Sequence, residues 1–100
     1  MESYKKAIEI DPKHAKAYNN MGFALSNLGR KEEAVASYKK AIEIDPNNAN
    51  AYNNMGVALD CLGRKEEAVA SYKKAIEIDP KYANAYRNMG FALSNLGRFD

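Results

Sequence analysis

Asparagine recurs at Asn20, Asn54 and Asn88, at a constant spacing of 34 residues. A carboxamide both donates and accepts hydrogen bonds and carries no charge, so such a column suits recognition of a polar chain and not bond-making. The side chains that do make and break bonds are scarce. His14 is the only histidine and Cys61 the only cysteine. Nothing pairs them as base and nucleophile or spaces them as metal ligands. His14 reads as an exposed residue of a turn, and Cys61 as a bystander thiol, buried or partly buried. The glycines either repeat at the same 34-residue spacing or follow a predicted helix, so there is no phosphate-binding glycine loop. The lysines and glutamates read as solvated helix faces. The chain is therefore expected to be a binding protein and not an enzyme, with no catalytic residue, metal or cofactor.

Composition narrows the partner. A net charge of +2 over 100 residues, with the signs interspersed, leaves no electrostatic footprint for nucleic acid. No apolar run approaches the ~18 residues that would span a bilayer, and the start of the chain does not resemble a secretory signal. A lone cysteine rules out an internal disulfide and fits a reducing cytoplasm. The expected partner is a protein or peptide, with no nucleic acid and no membrane.

Six helices must position these residues. Apolar residues at three- and four-residue spacing predict helices over 1–11, 15–28, 31–44, 49–62, 65–78 and 83–96. Pro12, Pro46 and Pro80 disfavour helical geometry at the preceding aspartate, and Gly29, Gly63 and Gly97 stand just past a helix C-terminus. The first helix of each 34-residue unit is termed A and the second B, giving the order B-A-B-A-B-A. The organisation is a single array: a half repeat over 1–14, full repeats over 15–48 and 49–82, and a half repeat over 83–100.

On helix A of the central unit, Ala51, Tyr52, Met55, Ala58, Leu59 and Leu62 share one broad face, with Gly56 at its edge. A mid-helix glycine costs ~1 kcal/mol against alanine, yet it recurs as Gly22, Gly56 and Gly90. Close approach of the helix B backbone would account for it. On helix B, Ala68, Tyr72 and Ala75 form the matching face, and Val69, Ile76 and Ile78 extend it towards the next unit. Lys73 and Glu77 point outward, one turn apart, and are expected to pair.

The spacing Tyr52-x2-Met55-Gly56-x2-Leu59, followed by Ala68-x3-Tyr72, Ala75 and Pro80, resembles the tetratricopeptide repeat (TPR). Tyr52, Met55 and Leu59 replace the commonest residues of that pattern, and Arg64 stands where an acidic cap is frequent, so the start of helix B is expected to be less well capped. The resemblance covers the whole chain. It implies an all-α, right-handed superhelix of antiparallel helix pairs, an α-solenoid whose concave groove is lined mainly by A helices.

The copies differ mostly on one exposed arc of helix A, while the outward face of helix B repeats unchanged. That arc is the candidate peptide-binding groove. Its columns are Lys16, Asn50 and Asn84; then Asn19, Asn53 and Arg87; then the unbroken Asn20, Asn54 and Asn88; then Phe23, Val57 and Phe91. Asn27, Asp60 and Cys61 close it at the far end. The asparagine column would hydrogen-bond an extended peptide backbone, or else pair with neighbouring helices. The apolar column would grip ligand side chains, or pack across the inner edge of the superhelix. A family mode that clamps a C-terminal carboxylate is not expected, because its lysine position holds Asn19 or Asn53 and its asparagine position holds Phe23 or Val57. Lys16 and Arg87 are not arranged as that motif requires.

The two half repeats suggest an alternative. Each lacks its partner helix, so Tyr4 and Ile8 at one end and Tyr86, Met89 and Leu93 at the other are candidate self-association surfaces. Head-to-tail stacking or a domain swap would build a homo-oligomer. In a longer protein, neighbouring repeats would cover the same surfaces.

Overall fold

Aspartate-proline and leucine-glycine steps punctuate the chain where expected. The computed structural model describes residues 2–11 and 13–97. Among them run α1 (Glu2–Ile10), α2 (Ala15–Asn27), α3 (Lys31–Ile44), α4 (Ala49–Cys61), α5 (Lys65–Ile78) and α6 (Ala83–Asn95). The expected helical start at Met1, the stop assigned to Pro12, and the ends of the chain at residues 98–100 lie outside the described residues.

Each A-type helix ends one residue earlier than expected, for a reason visible in its hydrogen bonds. Gly29 takes φ 79°, a left-handed conformation that suits a residue without Cβ. Its N–H donates to the Ser26 carbonyl at 3.0 Å, while the Arg30 N–H donates to the Leu25 carbonyl at 2.9 Å. These two bonds satisfy carbonyls that the helix end would leave orphaned. The B-type helices stop at an extended aspartate; the Asp45 carboxylate then accepts the Asn47 N–H at 3.2 Å and turns the chain.

The A-type helices begin in different ways. Asn48 Oδ1 accepts the Ala51 N–H at 3.1 Å, and His14 Nδ1 accepts the Ala17 N–H at 3.1 Å. His14 is thus a half-buried N-cap and not an exposed turn residue. Tyr82, at the same repeat position, makes no side-chain cap. Arg64 caps nothing either, as expected. It instead donates to both Glu67 carboxylate oxygens, at 3.1 and 2.7 Å, and that hydrogen bond holds the Glu67 carboxyl below its ordinary range. Both groups face solvent, so the pair adds little stability. The expected Lys73–Glu77 pair does not form among the described residues; Lys74 approaches Glu77 at 3.8 Å.

Successive helices pack as neighbours, α2 on α3, α3 on α4, α4 on α5 and α5 on α6, with α4 also touching both α2 and α6. The result is an all-α solenoid, extended to 45 × 27 × 17 Å. One core runs through it, including Leu25, Val35, Tyr38, Met55, Leu59, Val69 and Tyr72. Tyr38 and Tyr72 are only 1% exposed. A Cβ placed on Gly56 would lie 2.5 Å from Tyr72 Cε1, and one on Gly22 would lie 2.6 Å from Tyr38 Cε1. What the mid-helix glycines admit is therefore the tyrosine ring of helix B, not its backbone. A Cβ on Gly90 would meet nothing within 4 Å among the described residues.

Candidate functional site

The A-type helices stand side by side, and this sorts the candidate residues by depth. Phe23, Val57 and Phe91 are exposed at 56%, 38% and 65%. These apolar side chains do not pack across the inner edge of the superhelix; they face solvent in register. Asn20, Asn54 and Asn88 are half-buried beside them. Lys16, Asn27, Asn50, Asn84 and Arg87 are exposed on the same helices.

Two residues placed on the exposed arc are instead interior. Asn19 and Asn53 are 8% and 5% exposed. Asn88 Nδ2 donates to Asn53 Oδ1 at 3.2 Å, bridging α6 to α4. The corresponding bond from Asn54 to Asn19 is not made, and Asn19 Oδ1 is buried without a partner among the described residues. The asparagine column is thus divided: Asn88 pairs with the neighbouring helix, while Asn20 and Asn54 make no side-chain bond of this kind among the described residues.

Asp60 does not offer a free carboxylate, since it is paired with Lys65. In the preceding unit Lys31 Nζ donates to Ser26 Oγ at 2.8 Å and to its carbonyl at 2.9 Å. Both lysines therefore tie the end of helix A to the start of helix B. Cys61, expected to be at least partly buried, is exposed.

Sequence reasoning passed over the turn before α4. Asp45, Asn47 and Asn48 join Lys16, Asn19, Asn20 and Asn50 around a cleft of about 420 Å³ between α2 and α4. The signal was present in the Asn48/Tyr82 difference between copies. Between α4 and α6 the Tyr82 hydroxyl donates to Asn50 Oδ1 at 2.9 Å, so that step carries a phenol which the earlier one lacks.

On α6, Tyr86 and Gly90 are exposed, with Met89 and Leu93 half-buried; Tyr4 and Ile8 on α1 are also half-buried. No group of three or more potential metal ligands occurs among the described residues, and none of their helices is long and apolar enough to cross a membrane.

Comparison with known proteins adds the following. A family model described as TPR repeat matches residues 27–60 and 62–97, and a second, described as tetratricopeptide repeat, matches residues 3–36. Each matched span pairs a B-type helix with the A-type helix after it. No curated protein matches the chain. Among solved structures, two of MamA superimpose with TM-scores of 0.92 and 0.90 at 28% and 32% identity, covering 99% and 96% of this chain. YrrB, described as a TPR protein with an unusual peptide-binding site, superimposes at 0.88 with 29% identity over 95% of this chain. The first TPR of Spaghetti (RPAP3), bound to the HSP90 peptide SRMEEVD, gives 0.93 at 23% identity over 96% of this chain and 76% of that one, a likeness of fold alone. The chain spans 58% and 52% of the MamA chains and 49% of YrrB.

Proposed function

Because the chain belongs to the tetratricopeptide repeat family, we propose that it is a non-catalytic interaction scaffold that receives an extended peptide along α2, α4 and α6. Repeats over 15–48 and 49–82, with half repeats at 1–14 and 83–100, are the units of this reading. The observation that carries it is the exposed apolar column of Phe23, Val57 and Phe91. Three large apolar side chains in register on one face mark a surface that gains by being covered. The half-buried asparagines beside them supply donors and acceptors that suit a peptide backbone of any sequence. The peptide-binding site described for YrrB supports a peptide as the class of ligand.

Replacing Phe23, Val57 and Phe91 together by serine tests this directly. Each is exposed, so stability should change by no more than about 0.5 kcal/mol per site. Capture of peptides from a displayed random library should fall at least about tenfold. Unchanged capture by the folded triple variant would count against the groove.

A second reading is favoured by Gly90. Gly22 and Gly56 each hold a tyrosine ring, and no described residue fills the same place on α6. Tyr4 stands on α1 at the repeat position of those rings, within the segment SYKKAIEI that α3 and α5 also contain. In this reading α1 of a second copy packs on α6. Light scattering over a concentration series should then show a rising mass, abolished by Gly90→Ala, whose methyl would obstruct the incoming ring. A constant monomer mass would sink the idea.

A further inference from the structure

We propose that His14 is a pH-sensitive latch on the first turn of α2, closed while its imidazole is neutral and released when the ring takes up a proton.

The repeat supplies its own series. His14, Asn48 and Tyr82 are the N-cap residues of α2, α4 and α6, and their backbones agree closely, with φ of −84°, −90° and −79° and ψ of 85°, 89° and 88°. Only the side chains differ. Asn48 Oδ1 accepts the Ala51 N–H at 3.1 Å, and a carboxamide does not titrate near neutrality. Tyr82 sends its hydroxyl to Asn50 and leaves α6 without a side-chain cap. His14 Nδ1 accepts the Ala17 N–H at 3.1 Å. Of the three, only this cap is a lone pair that a proton can occupy near neutral pH.

A neutral imidazole keeps one ring nitrogen free to accept, and here it is Nδ1. An imidazolium donates from both nitrogens and accepts at neither. Protonation therefore deletes the bond to Ala17, and it sets a positive charge against the positive end of the α2 dipole. Both effects act in one direction. A free imidazole takes up its proton near pH 6.5, so the cap on α2 is complete above that region and is lost as the pH falls through it. The cap on α4 persists.

The surrounding charges leave the outcome to this hydrogen bond. Asp11 and Lys13 precede the ring in the turn, and Lys16 follows it in α2. Asp45 lines the cleft beside Ala15 and Lys16, Lys40 and Glu43 of α3 line a pocket with Lys13, and Lys5, Lys6 and Glu9 of α1 line another. The signs are mixed, and the Asp11 carboxylate accepts the Lys13 N–H at 3.1 Å. Among the described residues none of these groups forms an ion pair or a side-chain hydrogen bond with His14.

The test is amide hydrogen exchange by NMR on the whole chain at pH 8 and pH 5, with Ala51 as the internal reference for Ala17. After correction for intrinsic exchange rates, the protection of Ala17 relative to Ala51 should fall about fivefold on acidification, the scale of one N-cap. His14→Asn should hold the ratio constant, since Asn48 caps the same backbone, and His14→Ala should keep it low at both pH values. Urea midpoints read the same latch without resolving single amides: the wild-type chain should track His14→Asn at pH 8 and His14→Ala at pH 5. A wild-type ratio that does not change with pH, an equal fall in His14→Asn, or a gap between wild type and His14→Ala that is the same at both pH values would overturn the proposal.

Discussion

Tyr72→Ala is expected to lower the free energy of unfolding by about 3–5 kcal/mol, whereas Tyr4→Ala, at the same repeat position, should cost only about 1 kcal/mol. The two residues sit in the same local sequence, SYKKAIEI, and differ only in cover. Tyr72 is 1% exposed with its ring against Gly56, while Tyr4 is half-buried. The contact can be attacked from its other side with a single methyl group. In Gly56→Ala the new Cβ would lie 2.5 Å from Tyr72 Cε1 and 2.7 Å from Cδ1. Overpacking of that kind costs about 1–3 kcal/mol, against a helix-propensity gain of about 1 kcal/mol. A Cβ at Gly90 would meet no described residue within 4 Å, so only the gain remains. The same substitution should therefore destabilise at Gly56 and stabilise at Gly90. Urea midpoints measure all four variants, and a stabilising Gly56→Ala would refute the ring-in-slot account.

That slot also marks how far the sequence could be read. The helix ends were legible because aspartate-proline and glycine steps act locally, through steric exclusion and left-handed geometry. The repeat and its core faces were legible because apolar periodicity reports which side of a helix is covered. Periodicity does not report what covers it. Gly56 was thus assigned to a close backbone, when the neighbour is the Tyr72 ring. Asn19 and Asn53 were misjudged for a related reason. A helical wheel drawn against the B-type partner treats the opposite arc as solvent, but the next A-type helix stands over part of it. Asn88 reaching Asn53 is the visible trace of that third neighbour. The Asn48/Tyr82 difference was readable as a difference and no further. Whether a side chain turns back to cap its own helix or reaches across to the previous one depends on the two helices' spacing, which composition does not encode. The Phe23, Val57 and Phe91 column had two readings on sequence grounds, and its exposure counts against packing across the inner edge.

The buried tyrosines should also give the fold a pronounced sensitivity to alkali. Burial pushes the Tyr38 hydroxyl up to about 12. It raises that of Tyr72 as well, aided by the neighbouring charges of Asp60 and Cys61. A free tyrosine titrates near 10, so between about pH 10 and 12 the unfolded chain has released phenolic protons that the folded chain still holds. Stability falls with pH wherever the unfolded state binds fewer protons. The contribution of these groups is accordingly complete below about pH 10 and is lost as the pH climbs through the folded values, at up to about 1.4 kcal/mol per pH unit for each ring. Phenylalanine keeps the ring in its glycine slot and removes the titrating group. Urea midpoints of the wild-type chain should therefore drop more steeply between pH 10 and 12 than those of the Tyr38→Phe/Tyr72→Phe variant. Parallel curves would mean that both hydroxyls ionise without leaving the fold. The rings would then be less enclosed than their packing on Gly22 and Gly56 requires, and the contrast expected between Tyr72 and Tyr4 would weaken with them.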